Sequence, residues 1–218
     1  MRALDWEFQG NGDIHMLSFV RQWRAARVKR EFARLGSDCV LPTGPIEVKG
    51  HIELGRACVI GGNVVLRTHR DGKVVLGDEV ELGDYAMIHA NQEVRVGAGA
   101  VVGPYCVLRD LNHWFHTETH WRVSPPVIKP IVVGEGCFLG AHTYVMPGVT
   151  IGSGAVVAPG SVVNHDIGEN EVWAGAPTAQ FIAHRTNPSR RSSLRRHQAL
   201  LHLYGFDETD EALSLIHI

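Results

Sequence analysis

Residues 133–163 read VGEGCF LGAHTY VMPGVT IGSGAV VAPGSV V, six residues to the word, each word opening on an aliphatic residue. Those openings are Val133, Leu139, Val145, Ile151, Val157 and Val163, and the same six-residue spacing returns upstream. It passes through Val96, Val102 and Leu108, then Leu76, Leu82 and Ile88, and more loosely through Val48, Leu54, Ile60 and Leu66. Neither an amphipathic helix nor an alternating strand has a period of six, whereas a coil of short strands joined by tight turns does. The repeat therefore predicts an all-β solenoid, a parallel β-helix of about five coils at three hexapeptides per coil.

Two further columns support that reading. Gly follows the aliphatic residue at Gly77, Gly83, Gly97, Gly103, Gly134, Gly140 and Gly152, where the chain must turn or let another backbone approach closely. Four residues after the aliphatic position stands a small or branched side chain: Cys58, Val80, Ala86, Ala100, Cys106, Cys137, Thr143, Val149, Ala155 or Ser161. Both the aliphatic and the small column are expected to point inward. That explains three of the cysteines (Cys39, Cys58, Cys106, Cys137) as compact core residues; no CxxC spacing suggests zinc or redox chemistry.

The motifs VGAGAVVGPYCVLRDLNH and KPIVVGEGCFLGAHTYVMPGVTIGSGAVVAPGSVV resemble the hexapeptide-repeat acyltransferases, in particular the branch that O-acetylates galactosides, maltose and polysaccharides. The resemblance runs from residue 46 to 182, and WAGAPTAQFI matches the family's exit from the helix. It implies a left-handed helix, a hand that the repeat alone does not supply. It also implies acetyl-CoA as co-substrate, no metal, and a homotrimer with its sites at subunit boundaries.

Between Leu108 and Val133 the repeat is suspended, and a loop (109–132) carries His113, Trp114, His116, His120 and Trp121. Long loops on rigid scaffolds tend to be functional. Acyl transfer to a hydroxyl needs a base near neutrality, which suits histidine. By resemblance His113 is the general base, with Pro130 and Ile131 marking the resumption of the helix. His116 repeats a second histidine of that branch, and Trp114 offers a flat apolar face for a sugar ring. Asp110 is expected at the acceptor or behind His113, where Glu118 is the other candidate. One coil upstream, Asn91 in IHANQEV matches an acceptor-binding Asn. Ala141 and Pro159 match backbone positions that grip coenzyme A, and Arg185 stands in for the basic exit residue that is absent after Pro177. His89 and His142 read as packing or interface residues.

The ends of the chain are separate. Residues 1–45 are expected to form an N-terminal helical cap, since 15–35 place Leu17, Val20, Trp23, Val28 and Phe32 at helical spacing among basic residues. Contact of this basic helix with a membrane surface is the alternative. Residues 183–218 are expected to be a helical tail, and the closing LSLIHI reads as an appended scar. With a net charge of −2 and no apolar leader, the sequence points to a cytoplasmic protein without a nucleic-acid partner. The expected activity is O-acetylation of a saccharide hydroxyl. The alternatives are a scaffold that keeps the fold without catalysis, and a γ-carbonic anhydrase-like zinc enzyme, for which His89, His113 and His142 lack the required spacing.

Overall fold

The computed structural model describes residues 29–42, 44–113, 120, 123–176 and 179–185. Residues 15–28 of the helix proposed over 15–35 lie outside these residues, as does nearly all of the C-terminal tail. The chain winds as a parallel β-helix of triangular section whose three faces carry six, seven and six strands among the described residues. The first face includes strands His51–Leu54, Lys73–Leu76, Glu93–Val96 and Ile131–Val133; the second, Glu81–Leu82, Val101–Val102 and Phe138–Leu139; the third, Glu47–Lys49, Val65–Thr68, Met87–Ala90 and Val107–Arg109.

Parallel register stacks each word on its counterpart in the next coil: Leu82 on Val102, Val102 on Leu139, Leu139 on Val157. All sixteen aliphatic openings are at most 4% exposed, and all ten residues of the small column are at most 2% exposed. Burial of that continuous core drives the winding, while hydrogen bonds between coils satisfy the backbone. The turns explain the glycines. A Cβ on Gly97 would lie 2.6 Å from the amide nitrogen of Glu135 in the next coil, so the coils could not stack at strand spacing with a larger residue there.

Two edges differ from the expected plan. Residues Arg34–Leu35, at the end of the proposed capping helix, form a strand paired in parallel with Glu53 and Leu54, while Phe32 packs on the core at 8% exposure. The first coil is thus extended by a strand. At the other end Glu171–Ala174 joins the second face, and Gln180–His184 returns antiparallel along it. Among the described residues no helix is long and apolar enough to cross a membrane.

Candidate active site

The corner between the third and first faces is where the repeat breaks. Strand Val107–Arg109 ends there, and the chain leaves as an antiparallel hairpin, Leu111–His113 against Pro126–Ile128, before Ile131–Val133 rejoins the first face. The base of the hairpin is fastened on both sides: Lys129 donates its amide to the carbonyl of Asp110 (3.0 Å), and Gly148, at the same corner one coil on, donates to the carbonyl of Lys129 (3.2 Å). His113 is the last described residue of the outgoing strand, opposite Pro126. It is half-buried, with its ring Nδ1 sealed from solvent and its amide donating to Asn112 Oδ1 at 2.9 Å. Trp114 and His116 lie outside the described residues. His120 is exposed, and its carbonyl accepts from the amide of Val123.

Asn91 occupies the same corner one coil below, so the structure brings it and His113 to one edge of the triangle. Asp110 has a different task from the one expected. It is fully buried, and its carboxylate accepts from the consecutive amides of Asn91 (2.8 Å), Gln92 (2.7 Å) and Glu93 (3.1 Å). It also accepts from Asn91 Nδ2 at 3.2 Å. Both carboxylate oxygens are thereby taken up in folding the corner, which leaves Asp110 to position Asn91 rather than to touch an acceptor or orient His113. The orientation of the Asn91 amide follows, because a carboxylate only accepts and must face the NH₂ end. The Asn91 Oδ1 and its second N–H remain for a ligand.

Ala141 and Pro159 occupy the corner between the second and third faces, stacked at equivalent turn positions of successive coils. Gly160 donates to the carbonyl of Ala141 at 2.8 Å, whereas the Ala141 N–H carries no hydrogen bond among the described residues. Below them the next turn residues form a stack of rings. Tyr85 lies 4.8 Å from Tyr105 at 2°, and Tyr105 lies 4.8 Å from His142 at 3°. All three have positive φ (61°, 59° and 59°), a strained region for such side chains that the stacking and the turn hydrogen bonds offset. His142 therefore belongs to this corner, away from His89 and His113, and the zinc triad is not assembled within one chain. Among the described residues no three His, Cys, Asp or Glu side chains are grouped to hold a metal ion.

Arg185 departs from its expected place. Its Nη1 donates to the carbonyl of Gly154 at 2.9 Å, at the corner between the first and second faces. The returning strand carries it across the full width of the second face, away from Ala141 and Pro159, so it does not complete their site within the same chain.

Sequence reading passed over a row on the third face. The register sets Arg67 beside His89 and His89 beside Arg109, next to the corner that holds Asn91. Burial and the two guanidinium groups push the His89 imidazole below its ordinary value of 6.5. The separations of 22 and 20 residues gave a signal only once the coils were aligned.

The arrangement has close counterparts. A family model described as bacterial transferase hexapeptide (six repeats) matches residues 130–165. The chain is 29% identical over 175 residues to WbbJ of Escherichia coli (strain K12), named as a lipopolysaccharide biosynthesis O-acetyl transferase; the match covers 74% of this chain and 86% of WbbJ. WcaF of the same strain, named as a colanic acid biosynthesis acetyltransferase, is 35% identical over 122 residues, 54% of this chain and 65% of WcaF. Among solved structures, a mutant of AntD, an N-acyltransferase from Bacillus cereus, with dTDP-4-amino-4,6-dideoxyglucose and coenzyme A, superposes with a TM-score of 0.65 at 17% identity, over 83% of this chain and 96% of that one. Galactoside acetyltransferase in complex with coenzyme A gives 0.53 at 22% identity, over 82% and 74%. At such identities the structural likeness speaks for the fold, while the sequence relatives speak for the kind of enzyme. Repeat, relatives and fold agree: residues 130–165 carry the transferase hexapeptide repeat, and the chain is similar in sequence to named acetyltransferases and in fold to hexapeptide-repeat acyltransferases.

Proposed function

We propose that the protein transfers an acetyl group from acetyl-CoA to a hydroxyl of a saccharide, with His113 as general base. The observation that carries this reading is the long interruption of the repeat at His113, on the edge that also holds Asn91, in a chain similar to a lipopolysaccharide biosynthesis O-acetyl transferase and a colanic acid biosynthesis acetyltransferase. With Nδ1 sealed, Nε2 is the nitrogen assigned to proton transfer. As the acceptor oxygen attacks the thioester carbonyl, its proton passes to His113. Collapse of the tetrahedral intermediate expels the coenzyme A thiolate, which takes the proton back. Asn91 holds the acceptor, and the N–H of Ala141 lies on the edge assigned to coenzyme A, where a backbone donor can steady the pantetheine arm or the oxyanion.

His113 with Asn91, and Ala141 with Pro159, occupy different edges of one triangular prism. A complete site then takes one edge from each of two adjacent copies, which favours a closed ring, here a trimer. The second reading is a scaffold without catalysis, favoured by the placement of Arg185 away from the coenzyme A edge. Thiol release from acetyl-CoA, measured against sugars, sugar phosphates and nucleotide sugars, separates the two. The wild type is expected to turn over, and His113→Ala to lose on the order of 10²- to 10⁴-fold. A folded His113→Ala with full turnover contradicts the role of the base, and a wild type that binds no coenzyme A favours the scaffold.

A further inference from the structure

The outer side of the third face carries a row of basic side chains. Register sets Lys49 beside Arg67, Arg67 beside His89, and His89 beside Arg109, while their neighbours Leu66, Ile88 and Leu108 point into the core. Adjacent members are therefore about 4.8 Å apart at the backbone. Like charges on neighbouring rungs repel. On the first face Lys73 meets Glu93 on the next rung (3.8 Å), and Glu93 also takes Arg95 from its own strand (2.7 Å). On the third face one carboxylate, Glu47, accepts from Arg67 Nε at 2.9 Å, and it is the row's one carboxylate partner among the described residues. Three permanent cations thus share a single acid.

The row is also incompletely bonded. Arg109 Nε and His89 Nε2 are both sealed from solvent and have no hydrogen-bond partner among the described residues. Buried polar groups left in that condition are costly, and they mark places where a ligand completes the network. The position of the row matters as much as its charge. His89 stands two residues before Asn91, and Arg109 ends the strand from which the hairpin carries His113 outward.

We propose that the acceptor is an anionic saccharide, whose phosphate or carboxylate is received by Arg67 and Arg109, with His89 between them, while its hydroxyl is presented to His113. This inference rests on the O-acetyltransferase reading and deepens it. Guanidinium forks match both phosphate and carboxylate in a bidentate manner. Burial and the flanking guanidiniums hold His89 toward its neutral form, so it serves as a hydrogen-bonding partner and adds no third repelling charge to the pair.

The test uses the full chain with inorganic phosphate as probe and glucuronate as a second arm, followed by the ring resonances of His89, assigned through His89→Gln. We expect these signals to shift saturably with at least one anion, the stronger of the two telling phosphate from carboxylate. Arg67→Gln/Arg109→Gln should weaken that binding at least tenfold, and Arg109→Lys should restore most of it to a single-site background. Absence of a saturable shift with either anion, or equal binding by the double variant, overturns the inference. In the same samples, coenzyme A binding without anion binding overturns the inference alone; anion binding without coenzyme A binding overturns the acceptor role together with the O-acetyltransferase reading. Disassembly of the double variant, in a protein whose wild type binds no anion, assigns the row to subunit contact instead.

Discussion

Asp110 holds the corner of the molecule on which the site depends. Its carboxylate gathers three consecutive amides, a small nest of N–H dipoles that suits an anion. Asp110→Ala leaves those donors without an acceptor and is expected to cost about 3 kcal/mol or more, read from urea unfolding. A loss below about 0.5 kcal/mol, the usual range for a surface change, contradicts the assignment. His89 gives a pH prediction. Its folded value lies below the ordinary 6.5, so the unfolded chain binds the proton more readily. Stability is complete above about pH 6.5 and falls as pH drops through the depressed value. His89→Gln should therefore flatten the decline in melting temperature between pH 7.5 and 5.5; an unchanged decline contradicts it. At this scale the sequence exposed what spacing can carry. The inward cysteines were legible because they keep phase, and the break that carries His113 because the six-residue word stops after Leu108; the roles of His113 and Asn91 came from the family resemblance. The task of Asp110 was not, since nothing along the chain tells that amides 17 to 19 residues earlier converge on its carboxylate.

The hairpin and the turns are the elements that translate the repeat into a site. The interruption after Leu108 was readable, but its form was not: Leu111–His113 is short, and its partner, Pro126–Ile128, begins at a proline that hides any alternation. Because the base is pinned by Asp110, Lys129 and Gly148, replacing residues 114–125 by a short turn should leave the core intact. We expect the melting temperature of that variant to stay within about 3 °C of wild type, the shift that ~1 kcal/mol produces in a domain of this size, with turnover abolished. Turnover that survives the excision would remove the loop from the mechanism. The turns are less tolerant. In Gly97→Ala the new Cβ would press on the amide of Glu135 at 2.6 Å, and a loss of about 1–3 kcal/mol in chemical unfolding is expected. Stability equal to wild type would show that the coils can spread at that turn. Arg34–Leu35 illustrates how far local pattern reaches: its residues suit a helix, yet the open edge at Glu53 and Leu54 takes them as a strand.

At the scale of the whole molecule, the triangular section sets the proposed base and the proposed coenzyme A positions on different edges. One edge presents His113 and Asn91, another presents Ala141 and Pro159, and the third holds Arg185 against Gly154. The repeat made the fold readable from one six-residue word. Which edge each residue occupies required counting turns through a hairpin of unknown register, and the edge of Arg185 was not legible because the returning strand reverses direction after Ala174. In the proposed reaction, acetyl transfer takes the base from one copy and the coenzyme A edge from its neighbour. Co-expression of two inactive variants, His113→Ala and Ala141→Trp, tests it most directly through thiol release by the co-assembled protein. Activity clearly above the sum of the two variants alone is expected, since mixed assemblies contain boundaries where an intact His113 faces an intact Ala141. Co-assembled protein no more active than that sum would contradict it and place both halves of the site within one chain.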